Sequence, residues 1–168
     1  SENILYDTWL NMGFEELLPK EVDSLDYYRA DDGVLTRNEC VIEITGDDAT
    51  AHVAGACVGD GKDFHHDDTV FITHDAVNCE SRQVFKKVLR NGATGVFQGK
   101  ILVKADAQKT DGYQISQSLL LDGDSQFLAK PELEIYADDV ACAHGNTIGQ
   151  LDESALFYMR QRGIPAAQ

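Results

Sequence analysis

Cys142-Ala143-His144 sets a thiol and an imidazole two residues apart. Alternate residues of a β-strand project from the same face, so on a strand both groups stand side by side. A thiolate beside an imidazole can bind a soft metal, or the imidazole can activate the sulfur. The commoner use of such a pair is a buried Cys next to a hydrogen-bonded His, because unpaired Cys is among the most buried residue types. His65-His66-Asp67-Asp68 offers more ligand atoms in fewer residues. Neighbours on a strand face opposite ways, so one strand cannot aim both imidazoles at one ion. The run reads as a solvated polar turn. Cys40, Cys57 and Cys79 read as structural; Cys79 has Glu80 beside it, which disfavours a thiolate.

No other conventional active site assembles from the sequence. There is no Gly-x-Ser-x-Gly turn for a hydrolase nucleophile. Gly92-Ala93-Thr94-Gly95 leads into a strand pattern and lacks the Lys-Ser/Thr of a phosphate loop. Gly59-Asp60-Gly61-Lys62-Asp63 lacks the ligand spacing of an EF-hand and reads as a turn. The four cysteines contain no Cys-x-x-Cys pair, which excludes a zinc ribbon, and they are too few for a disulfide scaffold. Reduced thiols in a cytoplasmic protein are expected.

Composition narrows the partners. Asp and Glu number 29 against 14 Lys and Arg, a net charge of −15 in 168 residues. Such a chain repels a phosphate backbone, so nucleic acid and anionic membranes are excluded as partners. No apolar run approaches the roughly 18 residues of a membrane span. The chain begins at Ser1 and shows no signal-peptide pattern, which reads as an excised piece of a larger protein. Ordinary globular composition, 43% hydrophobic, argues for one domain with a single core.

The elements that would carry these residues are mostly strands. Cys40, Ile42 and Ile44 alternate with Val41, Glu43 and Thr45; Phe97, Ile101 and Val103 alternate with Gln98, Lys100 and Lys104. Tyr113, Ile115, Leu119 and Leu121 share a face expected to be apolar and inward, with Gln114, Ser116 and Ser118 turned away. Leu133, Ile135 and Ala137 oppose Glu132, Glu134 and Tyr136, and further runs lie at 51–58 and 69–73. Arg82–Leu89 is ambiguous between helix and strand. The runs recur every 12 to 17 residues. The gaps hold no amphipathic helices, and no Asn-Gly dipeptide joins two runs as a two-residue hairpin; Asn91-Gly92 is the one such pair. A sandwich, a barrel and a β-solenoid all remain open on this pattern, since no strict repeat selects the solenoid.

Both ends differ from the middle. Ile4, Leu5, Trp9, Leu10, Met12, Phe14, Leu17 and Leu18 fit a loose helical pattern broken by Gly13 and Pro19, and 20–33 reads as an irregular loop. From Asp152 the period becomes helical: Asp152 and Glu153 open the segment, Ala155, Leu156 and Met159 line a stripe, and Arg160, Arg162, Gly163 and Pro165 close it. Acid first and base last suit the helix dipole.

Several stretches, taken in order, are similar to the SufB/SufD family of iron–sulfur cluster assembly proteins. They are Ser81-Arg82-Gln83-Val84-Phe85-Lys86, Gly95 through Val103, Ala107 through Asp111, Leu119-Leu120-Leu121 and Lys130 through Ile135. Then come Ala137 through Val140, Cys142 with His144-Gly145, Gly149 through Asp152, and Ala155 through Tyr158 with Arg160 and Arg162-Gly163-Ile164. The resemblance runs from Val34 to Pro165. Within the family the chain sides with the SufD type: Ser116 stands where SufB-type sequences carry a Cys, and Cys142-Ala143-His144-Gly145 replaces the acidic phrase of SufB.

The resemblance implies a mainly β fold, a right-handed parallel β-helix over 34–150, preceded by the 1–33 lead-in and followed at 151–168 by the start of a C-terminal helical domain. It implies a scaffold rather than an enzyme, pairing with SufB and with the SufC ATPase, the latter through the helical domain. Cys142 and His144 match the family's Cys and His near the SufB contact, so they are the expected ligands of a nascent iron–sulfur cluster formed with SufB. No cofactor is expected on the isolated piece, and a homodimer is expected when SufB is absent. The competing classes are a β-helix carbohydrate-active enzyme, which would want carboxylates and aromatic platforms on one strand face, and a purely structural interaction module.

Overall fold

The computed structural model describes residues 24–29 by their backbone, and residues 35–150 and 152–164 in full. The helical pattern at the start of the chain lies outside these residues. Nine strands follow one another: β1 (Ser24–Arg29), β2 (Leu35–Ile44), β3 (Thr50–Asp60), β4 (His65–His74), β5 (Glu80–Arg90), β6 (Thr94–Val103), β7 (Thr110–Leu120), β8 (Gln126–Ile135) and β9 (Val140–Gln150), then helix α1 (Glu153–Gln161). Two corrections follow. Part of the expected loop at 20–33 is strand β1, and the ambiguous 82–89 lies wholly within β5.

From β2 onward even and odd strands separate into two sheets, with β1 added to the even one: β1-β2-β4-β6-β8 and β3-β5-β7-β9. All pairs are parallel except β1 with β2, which are antiparallel. From β2 onward each strand therefore bonds to the one two places on, and the chain winds as a parallel β-helix of about four turns. Leu35 pairs with His65, His65 with Thr94 and Thr94 with Gln126. One coil is thus about 30 residues, twice the spacing of the apolar runs, because each run is half a coil.

The corners explain why no repeat is visible in the residues. One corner of successive coils holds Asp48, Asn78 and Lys109, all left-handed with φ of 60°, 58° and 60°. Their amides donate to the next coil, at Val77 O, Gln108 O and Asp139 O (3.0, 2.9 and 2.6 Å). The backbone repeats while the side chain changes. Asn91-Gly92, with φ of 58° and 81°, makes the opposite corner between β5 and β6 rather than a hairpin. Asp and Asn tolerate this region; Lys does not, at roughly 1 kcal/mol. Lys109→Asn is therefore expected to stabilise the fold by about 0.5–1 kcal/mol, read as a higher denaturation midpoint. An unchanged or lower midpoint would show that the Lys109 side chain offsets its backbone.

The interior is asymmetric. The even-strand sheet contributes apolar columns, such as Ile42, Ile72 and Ile101, and Phe97 stacks against Phe85 of the other sheet with ring centroids 4.8 Å apart. The odd-strand sheet turns Ser81, Gln83 and Lys87 of β5 inward, and then Gln114, Ser116 and Ser118 of β7. The alternation expected in β7 is present, but its sense is reversed: Tyr113 is exposed and the polar set is buried. Hydrophobicity fixes the period of a strand, but the register with Ser81, Gln83 and Phe85 in the stacked coil fixes which face is inward.

His65-His66-Asp67-Asp68 is likewise not a turn. It opens β4, with His66 and Asp68 inward and Asp68 5% exposed. Lys87, whose side chain is 1% exposed, places its ammonium 2.7 Å from Asp68 Oδ2 and donates to His66 O and Val96 O at 3.0 and 2.8 Å. It also lies 2.9 Å from His66 Nδ1, and Asn38 donates to Asp68 Oδ1 at 2.7 Å. Burial alone would push the Asp68 carboxyl up; the bond from His66, the Lys87 charge and the bond from Asn38 overcome it and hold it at about 2.

Helix α1 is built as its sequence directs. Asp152 caps it by accepting from Ser154 N and Ala155 N, and Gly163 at φ 84° ends it. It buries none of its residues, leaving Phe157 64% and Tyr158 57% exposed. Among the described residues no helix is long and apolar enough to cross a membrane.

Candidate functional site

Among the described residues β9 is the last strand of its sheet and β8 the last of the other, so no further strand among them lies beyond the fourth coil. The inner face of a solenoid coil is normally roofed by the next coil. Here it is open. Cys142, His144, Asn146, Ile148 and Gln150 fall on that face, because each is registered with an inward residue of β7. Cys142 lies over Gly112, His144 over Gln114 and Asn146 over Ser116.

Contacts confirm the facing. A Cβ added to Gly112 would sit 3.2 Å from Cys142 Sγ, so glycine is what leaves room for the sulfur. Ser116 donates to Asn146 Oδ1 at 3.1 Å. The structure thus brings Cys142 and His144 onto one strand face, at i and i+2, with Cα atoms about 6.6 Å apart along the strand. The two residues differ in setting. Cys142 packs at the edge of an apolar cluster of Ile101, Val103, Ala107 and Ala137, whereas His144 is exposed.

Burial pushes the Cys142 thiol up, a hydrogen bond with the Gly112 backbone opposes it in part, and the nearby Asp111 charge adds a smaller push upward. The sulfur is therefore a protonated thiol at neutral pH in the chain alone, and it ligates only when a cation displaces its proton. Among the described residues no three His, Cys, Asp or Glu side chains come together as a metal-holding group. Cys142 and His144 supply two soft-to-borderline donors, a set that fits iron but does not complete its coordination.

Asn146 was not singled out in the sequence. Its signal is there in retrospect: it continues the i, i+2, i+4 row from Cys142, and its amide adds a polar group to the same face. The other thiols stay inside the coils. Cys79 is buried with Sγ 3.3 Å from Gly46 O, burial pushes the Cys40 thiol up, and Cys57 is half-buried. All four are free thiols.

A family model described as the SufBD core domain of the SUF system for FeS cluster assembly matches residues 30–168. The chain is 35% identical over 132 residues to the iron–sulfur cluster assembly protein SufD of Escherichia coli, covering 79% of this chain and 31% of that protein. It is 42% identical over 91 residues to an iron–sulfur cluster assembly SufBD family protein of Synechocystis, covering 54% of this chain and 19% of that protein. It is also 42% identical over 85 residues to the chloroplastic protein ABCI7 of Arabidopsis thaliana, covering 50% of this chain and 18% of that one. The chain therefore spans a third or less of the length of these relatives. The parallel coils, the ordered motifs and a family match across most of the chain agree, and the chain belongs to the SufBD family of iron–sulfur cluster assembly proteins, as a homologue of SufD.

Proposed function

We propose that this chain is the core of a SufD-like scaffold subunit that pairs with SufB across the open fourth coil and holds a nascent iron–sulfur cluster there with Cys142 and His144. The observation that carries this reading is the placement of both residues on the inner face of β9, a strand with no further coil beyond it among the described residues. An uncovered edge with free backbone groups is a template for strand addition by a second chain. The two donors fall short of a full ligand set, so a second chain supplying the rest suits them. The cluster is cargo passed on, which makes the subunit a scaffold and not an enzyme; the relatives' names as assembly proteins support this.

The SufC ATPase is read as docking on the helical part that α1 opens, where Phe157, Tyr158 and Ile164 stand exposed. With SufB absent, the same open coil pairs with a second copy of this chain. Four free thiols suit a reducing cytoplasm.

His144 separates this reading from a purely structural module. In the complete protein, His144→Ala is expected to leave the melting temperature and SufB binding nearly unchanged, because the side chain is exposed. Cluster yield in the complex, measured by visible absorption and bound iron, is expected to drop about tenfold or more. Normal yield from the folded variant complex would end the ligand role.

A further inference from the structure

Gln114 is fully buried on the inner face of β7, and neither its Oε1 nor its Nε2 finds a hydrogen-bond partner among the described residues. A primary amide taken out of water without replacement bonds is costly, so such groups are rare in folded chains. The space for this amide is specific. Gly99 of β6 faces it so closely that an added Cβ would lie 2.3 Å from Nε2. Its neighbour one coil back, Gln83, is half satisfied: Nε2 donates to Lys100 O at 3.3 Å, while Oε1 finds no partner among the described residues. Along the sheet toward β9, the register partner of Gln114 is His144. Registered side chains of adjacent parallel strands lie about 4.8 Å apart, within reach of an amide and an imidazole.

His144 is the complementary half. Its ring is exposed, and among the described residues no coil covers it. When a second chain closes over that end, the imidazole loses water and its two nitrogens need partners. A neutral imidazole carries one donor and one acceptor nitrogen, and a ligating imidazole commonly gives its N–H to a nearby carbonyl or carboxylate. We infer that Gln114 is the positioning residue for His144: its amide carbonyl accepts the N–H of the ring nitrogen facing the coil interior, which leaves the other nitrogen unprotonated and turned toward the covering chain. An amide does this without adding another negative charge to a chain at −15. The inference rests on the reading of His144 as a cluster ligand, yet its central measurement needs no cluster.

The experiment uses the complete protein, with histidine labelled in nitrogen-15, alone and bound to SufB, at a pH well above the imidazole range. The His144 signals, assigned by their loss in His144→Ala, report the tautomer. In the native complex one tautomer is expected to dominate. Gln114→Leu removes the unpaired amide, so it is expected to fold with an equal or higher melting temperature. Its tautomer ratio is expected to move about fivefold or more toward parity, the worth of one hydrogen bond. Gln114→Glu keeps a carbonyl-type acceptor and is expected to retain the native ratio. Should Gln114→Leu fail to fold, Gln114→Met makes the same comparison. A His144 tautomer that is mixed in the native complex, or unchanged in Gln114→Leu or Gln114→Met, overturns the inference. A normal cluster yield in His144→Ala overturns the ligand reading and leaves the tautomer result standing, so the two failures are distinguishable.

Discussion

Replacing Lys87 by Met is expected to lower the unfolding free energy by about 3–5 kcal/mol, the cost of leaving a buried charge without its partner. The Lys87 ammonium sits 2.7 Å from Asp68 Oδ2 with its side chain 1% exposed, and its remaining bonds go to carbonyls of β4 and β6. Removing it strands Asp68 in the second coil with only His66 and Asn38 for company. Chemical denaturation at neutral pH measures the loss. Lys87→Met combined with Asp68→Asn removes both charges and is expected to recover a large part of it, since a buried ion pair adds little over a matched neutral pair. A single variant within about 1 kcal/mol of the native protein would mean that water reaches the cluster and that the pair is not dry.

Acid is expected to unfold the core in two stages, the first set by His74. This residue is fully buried in β4, with Nε2 2.8 Å from Ser81 Oγ and Nδ1 without a partner among the described residues. Burial holds its pKa down at about 4 against the ordinary 6.5. Below pH 6.5 the unfolded chain takes up a proton that the folded chain refuses. Stability present above that value is therefore lost as the pH falls to about 4, by about 3 kcal/mol. The second stage belongs to Asp68, whose folded carboxyl near 2 lies below its ordinary 3.8, so its contribution is lost as the pH falls from there. Denaturant midpoints taken at about pH 7 and about pH 4 test the first stage. His74→Gln, which cannot titrate, is expected to flatten the slope between them. A native protein equally stable at both values would show that His74 is not the neutral buried group described.

The sequence carried the strand periods and the site more clearly than the architecture. Cys142 and His144 share a face because i and i+2 do so on any strand, and the condition that they lie on one is met by β9. The sense of β7 was not legible, because an interior that accepts Gln114, Ser116 and Ser118 depends on what is stacked above and below them. His66 and Asp68 were hidden for the same reason: their partner Lys87 lies 21 residues from His66, in the other sheet. The solenoid itself could not be read from spacing. Its repeat lives in φ at Asp48, Asn78 and Lys109, three residue types that a search for identity does not equate. The resemblance to a family supplied that step, and the parallel registers bear it out.

The corners also decide where such a chain can change length over evolution. Successive pairings in the even-strand sheet step from Leu35 to His65, then to Thr94, then to Gln126, and these steps are unequal. In the odd-strand sheet Thr50 steps to Glu80 and Glu80 to Asp111. The surplus falls outside the strands, chiefly between Leu120 and Gln126, where the corner is longer than the one between Arg90 and Thr94. A residue gained or lost there shifts nothing that is stacked. The same residue deleted within β7 would invert the inner and outer faces of the strand beyond the cut, burying Tyr113's side of the strand and expelling Gln114's. Insertions and deletions in homologous genes should therefore cluster at the corner segments, as whole-number drift in loop length, and be purged from the strands that stack beneath Cys142 and His144.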